Sequence, residues 1–147
     1  MEGKIFLIKE RIIQMKYLSD YTKDAISKVL KDNGAFFAFS NKQFDEQKQP
    51  GVKYAGLVGG LVCPVDNKQT VLDEVERVNT EGIKQDVADH TVRQICWREF
   101  ANHEIQFTGD LQPIYDTLLL YPIGKEEIDR QYDKYYAHCI KHSDRYF

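Results

Sequence analysis

The segment "KYAGLVGGLVCP", residues 53–64, constrains this fold more than any other. Gly56, Gly59 and Gly60 interrupt the apolar series Leu57, Val58, Leu61 and Val62, and glycines inside an apolar run let the backbone bend or approach a neighbour closely. The segment reads as a bulged strand or as two short strands with a tight bend. Neither G-x-x-x-x-G-K-[ST] nor G-x-G-x-x-G spacing is present, so these glycines shape a turn rather than cradle a phosphate. "AFFAFS", residues 35–40, reads as a second short, buried strand. The fold class is therefore α+β: a small sheet of two to four strands, with "EIQFT" as a further extended segment, covered by four to six helices. An all-helical bundle is the alternative.

The rest of the chain carries helical spacing. Roughly Lys4 to Leu18 is apolar over half its circumference and reads as a first helix. Asp20 then caps a second, which places Ala25, Ile26, Val29 and Leu30 on one side and stops at Asn33-Gly34. Ser40 or Asn41 caps a brief helix through Phe44. Thr70, with Asp73 three residues on, caps a helix through Val71, Val75 and Val78 that Gly82 weakens or ends. Another runs from about Gln85 to the segment "WREFANHEIQF", and Asp110 caps the next, with Pro113 in its first turn. A last helix starts near Lys125, with Ile128, Tyr132, Tyr135 and Cys139 on one stripe. No linker is long enough to divide domains, so residues 1–147 read as one domain: N-terminal helices over 1–33, a core over 34–128 and a C-terminal helix over 125–147.

Charge and cysteine content narrow the function. Residues 1–53 carry ten Lys/Arg against seven Asp/Glu, and the remainder ten against sixteen; neither field suits duplex nucleic acid as a partner. Cys63, Cys96 and Cys139 are an odd number without C-x-x-C spacing, which argues against a disulfide framework or a zinc ribbon and for a reducing compartment. Charges recur through the apolar N-terminus, so it is neither a signal peptide nor a membrane span. The expectation is a cytoplasmic protein with no membrane partner, no metal and no cofactor.

The chemistry concentrates in "WREFANHEIQF". At 100° per residue from Val92, Ile95 falls at about 300°, Cys96 at about 40°, Glu99 at about 340° and His103 at about 20°, so the carboxylate and the imidazole extend the apolar stripe. An ionised group facing a core costs several kcal/mol unless paired, and these two lie one turn apart. Three readings compete. In the structural one, which leads, Glu99 and His103 form a buried latch, Asn102 and Thr108 bond backbone at the following turn, and Asp110 caps a helix; His103→Ala then costs roughly 2 to 4 kcal/mol and Glu104→Ala under about 1. In the binding one, the pair lines a pocket. In the catalytic one, Glu99, His103, Glu104 and Asp110 hold a metal or run acid and base chemistry, although E-x-x-x-H-E is not the zincin H-E-x-x-H. His90 and Asp89 lie too far along the same helix to join His103. Cys96 and Cys139 read as small core residues; His138 and His142, four apart, read as a solvated pair.

Taken in order, "FFAFSNKQFDEQ", "GLVGGLVCP", "REFANHEIQFTGDL" and "IGKEEI" resemble a family of small uncharacterised proteins from bacteriophages, prophages and bacterial mobile elements, over roughly residues 35–128. The resemblance carries over Phe36, Phe37, Ser40, Asn41, Gln43 and Phe44, then Gly59 and Gly60, then Glu99, Asn102, His103, Glu104, Thr108 and Asp110. The chain departs from the pattern at "EIQF", where an aromatic often follows the Glu, and in a longer "LLLYPIG" linker. The resemblance implies an accessory role in phage or element biology and supplies no activity. Two functions follow as expectations. The first is a non-enzymatic protein that binds a host or element protein, inhibitors of host defence included, with Ser40, Asn41, Gln43, Asn102 and Thr108 as binding residues. The second is a small metal-dependent hydrolase or nuclease centred on Glu99, His103, Glu104 and Asp110.

Overall fold

The computed structural model describes residues 15–147. Contacts group the chain into two compact units that meet in sequence at Gly82 and Ile83: residues 18–82, and residues 83–147 with the described residues up to Tyr17. The helix expected from Lys4 lies, save its end, outside the described residues.

The unit over 18–82 is built on a three-stranded antiparallel sheet. Helix α1, Leu18–Asp32, begins before Asp20, which therefore sits in the first turn rather than at the cap. It buries Thr22, Val29 and Leu30, with Ala25 exposed. Its end is the expected one: Gly34 is left-handed at φ 69°, and the amides of Gly34 and Ala35 donate to Lys31 and Leu30, the paired bonds of a Schellman stop. Strand β1 is Phe36–Phe37, α2 is Asn41–Gln47, β2 is Tyr54–Gly56 and β3 is Leu61–Pro64. The glycine-rich segment is thus two strands with a tight bend. Gly59 and Gly60 hold φ of 76° and 80° there, a region side chains disfavour. The strand order is β1-β3-β2, with Phe36 opposite Val62 and Ala55 opposite Cys63. "AFFAFS" was expected to be buried, and it is not. Consecutive residues of a strand face opposite sides, so Phe36 is half-buried while Phe37 is 50% exposed, and Phe39, beyond the strand, is 74% exposed.

Helix α3, Lys68–Asp89, starts before Thr70 and runs through Gly82, against both expectations. Gly82 is there for close approach: a Cβ at this position would lie 2.5 Å from Thr22 Cγ2 and 3.1 Å from Leu18 Cδ1. The small core of this unit joins Leu30, Cys63 and Val71, with Ile26, Leu57, Leu61 and Val75 packed against them.

The second unit is helical. The chain leaves α3 at His90 and enters α4, Val92–Asn102, through a capping box: Thr91 Oγ1 accepts from the Gln94 amide and Gln94 Oε1 accepts from the Thr91 amide. This T-x-x-Q signal, and not Gln85, marks the helix start. Then come α5 Ile105–Thr108, α6 Gln112–Thr117, α7 Lys125–Lys141 and α8 Ser143–Tyr146. "EIQFT" is therefore a helical turn and not a strand. Six consecutive residues of α4, Ile95 to Phe100, are buried. Ile105, Ile114, Leu118, Ile123, Ile128, Tyr135 and Cys139 surround them. Trp97 meets Tyr135 and His138, while Phe100 meets Tyr132, so α4 and α7 run antiparallel. Among the described residues no helix is long and apolar enough to cross a membrane.

Candidate functional site

Two groups of polar residues compete for a functional role, one in each unit. The first is buried. A helix segment buried on every side offers its charged residues no solvent, and within the buried run Ile95–Phe100 of α4 Arg98 is fully buried beside Glu99. Its guanidinium forks onto the buried Asp86 carboxylate of α3, with Nη1 to Oδ1 at 2.9 Å and Nη2 to Oδ2 at 3.0 Å, the geometry that suits this pair best. Arg98 Nε donates to Glu99 Oε1 at 2.9 Å and Nη1 donates to the Lys16 carbonyl at 3.0 Å. Asp86 also accepts from the Tyr121 hydroxyl at 2.6 Å and meets His90 Nδ1 at 2.8 Å. Burial pushes the Asp86 carboxyl up, but its bonds with Arg98, Tyr121 and His90 overcome this and hold it below the ordinary 3.8. Burial would lower Arg98, yet Asp86 and Glu99 hold it raised. Burial and Asp86 both push Tyr121 up. In this network one guanidinium, Arg98, stands between two carboxylates, Asp86 and Glu99, and is hydrogen-bonded to both.

The latch thus forms around a residue that sequence reasoning missed. Glu99 is buried, as expected, but Arg98 is its partner: His103 Nε2 lies 3.7 Å from Glu99 Oε2, and the His103 side chain is 31% exposed. Arg98 falls near 240° on the α4 wheel, off the apolar stripe, so no one-stripe reading of this helix could find it. Asp86 could have been found, since it stands four residues before His90. Because the chain turns between His90 and Thr91, distance along one helix axis does not separate these residues, and the argument that set His90 apart does not hold.

The remaining candidates of this unit are dispersed. Asn102 is the exposed last residue of α4. Glu104 is exposed in a left-handed conformation, φ 52°, the only described non-glycine with positive φ, so it ends the helix in the role expected of Asn102. Thr108 Oγ1 accepts from the Asp110 amide, and Asp110 Oδ1 accepts from Gln112, the first residue of α6. Thr108 thus bonds backbone as expected, whereas Asp110, expected to cap α6, stands one residue before the N-cap, which is Leu111. No three His, Cys, Asp or Glu side chains among the described residues gather closely enough to hold a metal, so the expected ligand set Glu99, His103, Glu104 and Asp110 is not assembled. Burial pushes the Cys96 thiol up to about 12, consistent with a core residue.

The second group is exposed and belongs to the unit over 18–82. A concavity of about 400 Å³ is lined by Ala38 to Asn41, Phe44, Tyr54 to Gly56, and Val62 of the central strand. Ser40 caps α2 by accepting from the Gln43 amide at 3.2 Å, and Gln43 Oε1 accepts from the Phe39 amide at 2.7 Å. Gln47 Nε2, which the sequence did not single out, donates to the Phe37 carbonyl at 2.9 Å and ties α2 to β1. Phe36, Phe44 and Tyr54 form a three-ring wall with centroids 5.5 to 6.1 Å apart. Outside it, Phe37 and Phe39 lie parallel with centroids 6.4 Å apart. Of the three binding candidates here, Ser40 and Asn41 line the concavity and Gln43 supports it.

Fold and sites together define a small α+β protein with an internally satisfied ion network and an exposed aromatic concavity. A model described as a family of unknown function, DUF7659, matches residues 18–142, and the chain belongs to that family. No curated protein and no solved structure matches the chain.

Proposed function

We propose that this is a non-enzymatic cytoplasmic binding protein, an accessory factor of a phage or mobile element, that engages a host or element protein through the Phe37–Asn41 face. One observation carries the reading: two phenylalanines stand exposed and parallel at the edge of a concavity with Ser40 and Asn41 on its lining. Covering a phenylalanine recovers about 1.5 to 3 kcal/mol, and an aromatic centre with a polar rim is how protein partners are held. Of the four residues that the alternative, catalytic reading would use, Glu99 is bonded to Arg98 and His103, Glu104 and Asp110 do not join it in a cluster. The test is affinity capture from lysate of a bacterial host with wild type, Phe39→Asp and Leu119→Asp, the last an equally exposed apolar residue of the other unit. A partner held by wild type and Leu119→Asp but released by Phe39→Asp supports the reading. Return of the bait alone, or equal capture by all three, overturns it.

A further inference from the structure

The antiparallel crossing of α4 and α7 brings the start of one helix beside the end of the other, and cations accumulate there. Arg93 Cζ stands 4.2 Å over the Trp97 ring. Trp97 lies 5.2 Å from the His138 ring, which lies 4.7 Å from His142. His138 Nε2 is 3.1 Å from the Tyr146 hydroxyl of α8. Lys141 and Arg145 lie near enough for their charges to act on His138, and among the described residues the ion pairs formed with carboxylates do not include Arg93, Lys141 or Arg145. Among the described residues the buried donors Arg145 Nη1 and Trp97 Nε1 meet no acceptor. Native proteins leave few such groups, and an ion is one of the things that satisfies them. The field at the C-terminus of α7 accounts for His138 and Lys141. It does not account for Arg93, in the first turn of α4, where the helix field disfavours a cation. Burial first, then His142, Arg93, Lys141 and Arg145, hold the His138 imidazole below its ordinary range, so the groups repel one another as they stand.

We propose that Arg93, His138, Lys141, His142 and Arg145 form an oxyanion site that takes a phosphate group, free or on a small monoester. A phosphate offers acceptors to guanidinium, ammonium and imidazole donors at once and offsets their mutual repulsion. Trp97 is the chain's single tryptophan, so its fluorescence reports on this place alone. The experiment titrates the full chain with inorganic phosphate, and separately with sodium chloride at matched ionic strength, following Trp97 emission and the His138 and His142 ring signals by NMR. Saturable changes with phosphate and none with chloride are expected. Arg145→Gln should weaken phosphate binding by roughly tenfold or more, the loss of one charge-assisted bond, with an unchanged thermal midpoint. Lys141→Gln, at an exposed position, serves if Arg145→Gln does not fold. Phosphoserine binding more tightly than inorganic phosphate would assign the site to a monoester, and the opposite order to free phosphate. A chloride response equal to that of phosphate, or full affinity in the variants, overturns the proposal.

Discussion

The buried network around Arg98 and the exposed face around Phe39 invert the usual placement of residue types. Charge sits inside one unit and aromatic rings sit outside the other. The inversion has opposite meanings in the two places. Arg98, Asp86, Glu99, Tyr121 and His90 bond to one another, and Arg98 also to the Lys16 carbonyl, so these groups hold the fold together. Phe37 and Phe39 leave apolar surface in water, which stabilises nothing until something covers it. A costly group that is fully paired points to architecture, and a costly group left open points to a partner.

The largest expected effect breaks the first half of this comparison. Arg98→Met leaves Asp86 and Glu99 buried without their cation and should lower stability by about 3 to 5 kcal/mol, read as a fall in the urea midpoint. A midpoint equal to wild type would mean that the network is not structural. Acid gives the next effect. The folded Asp86 carboxyl lies below its ordinary 3.8, so its contribution is complete above that value and is lost as pH falls through the lower, folded one. Wild type should therefore lose stability below about pH 4 more steeply than Asp86→Asn, checked by urea melts across pH 2 to 6; parallel slopes would deny Asp86 this role.

His103→Ala sharpens the comparison. The sequence alone suggests roughly 2 to 4 kcal/mol, but with Arg98 as the near partner of Glu99 and His103 at 3.7 Å and partly exposed, the loss should be under about 1 kcal/mol. A thermal midpoint lowered as far as that of Arg98→Met would restore His103 as the latch. Phe39→Asp should cost least, under about 1 kcal/mol, because the ring is mostly exposed. A large loss in its denaturation curve would move the aromatic face from function to architecture.

Local chemistry was legible in the sequence wherever neighbours in the chain decide the structure. Asn33-Gly34 stops α1, Ser40 caps α2, Gly59 and Gly60 bend two strands together, Pro113 sits in the first turn of α6, and α7 begins at Lys125 with Ile128, Tyr135 and Cys139 of its stripe buried and Tyr132 partly so. Each rests on a dihedral or hydrogen bond spanning a few residues. Gly82 shows where that reach ends. Local propensity sets it as a break, yet the close approach of Thr22 makes a glycine the residue that fits, and α3 continues. Arg98 shows it again: a wheel assigns one face to the core, but the run Ile95–Phe100 of α4 is buried on every face, so residues off the stripe are buried there as well. Only packing between distant segments could set Arg98 against Asp86, twelve residues away, and Tyr121, thirty-five residues from Asp86, because the free energy of a buried charge depends on which groups surround it in space.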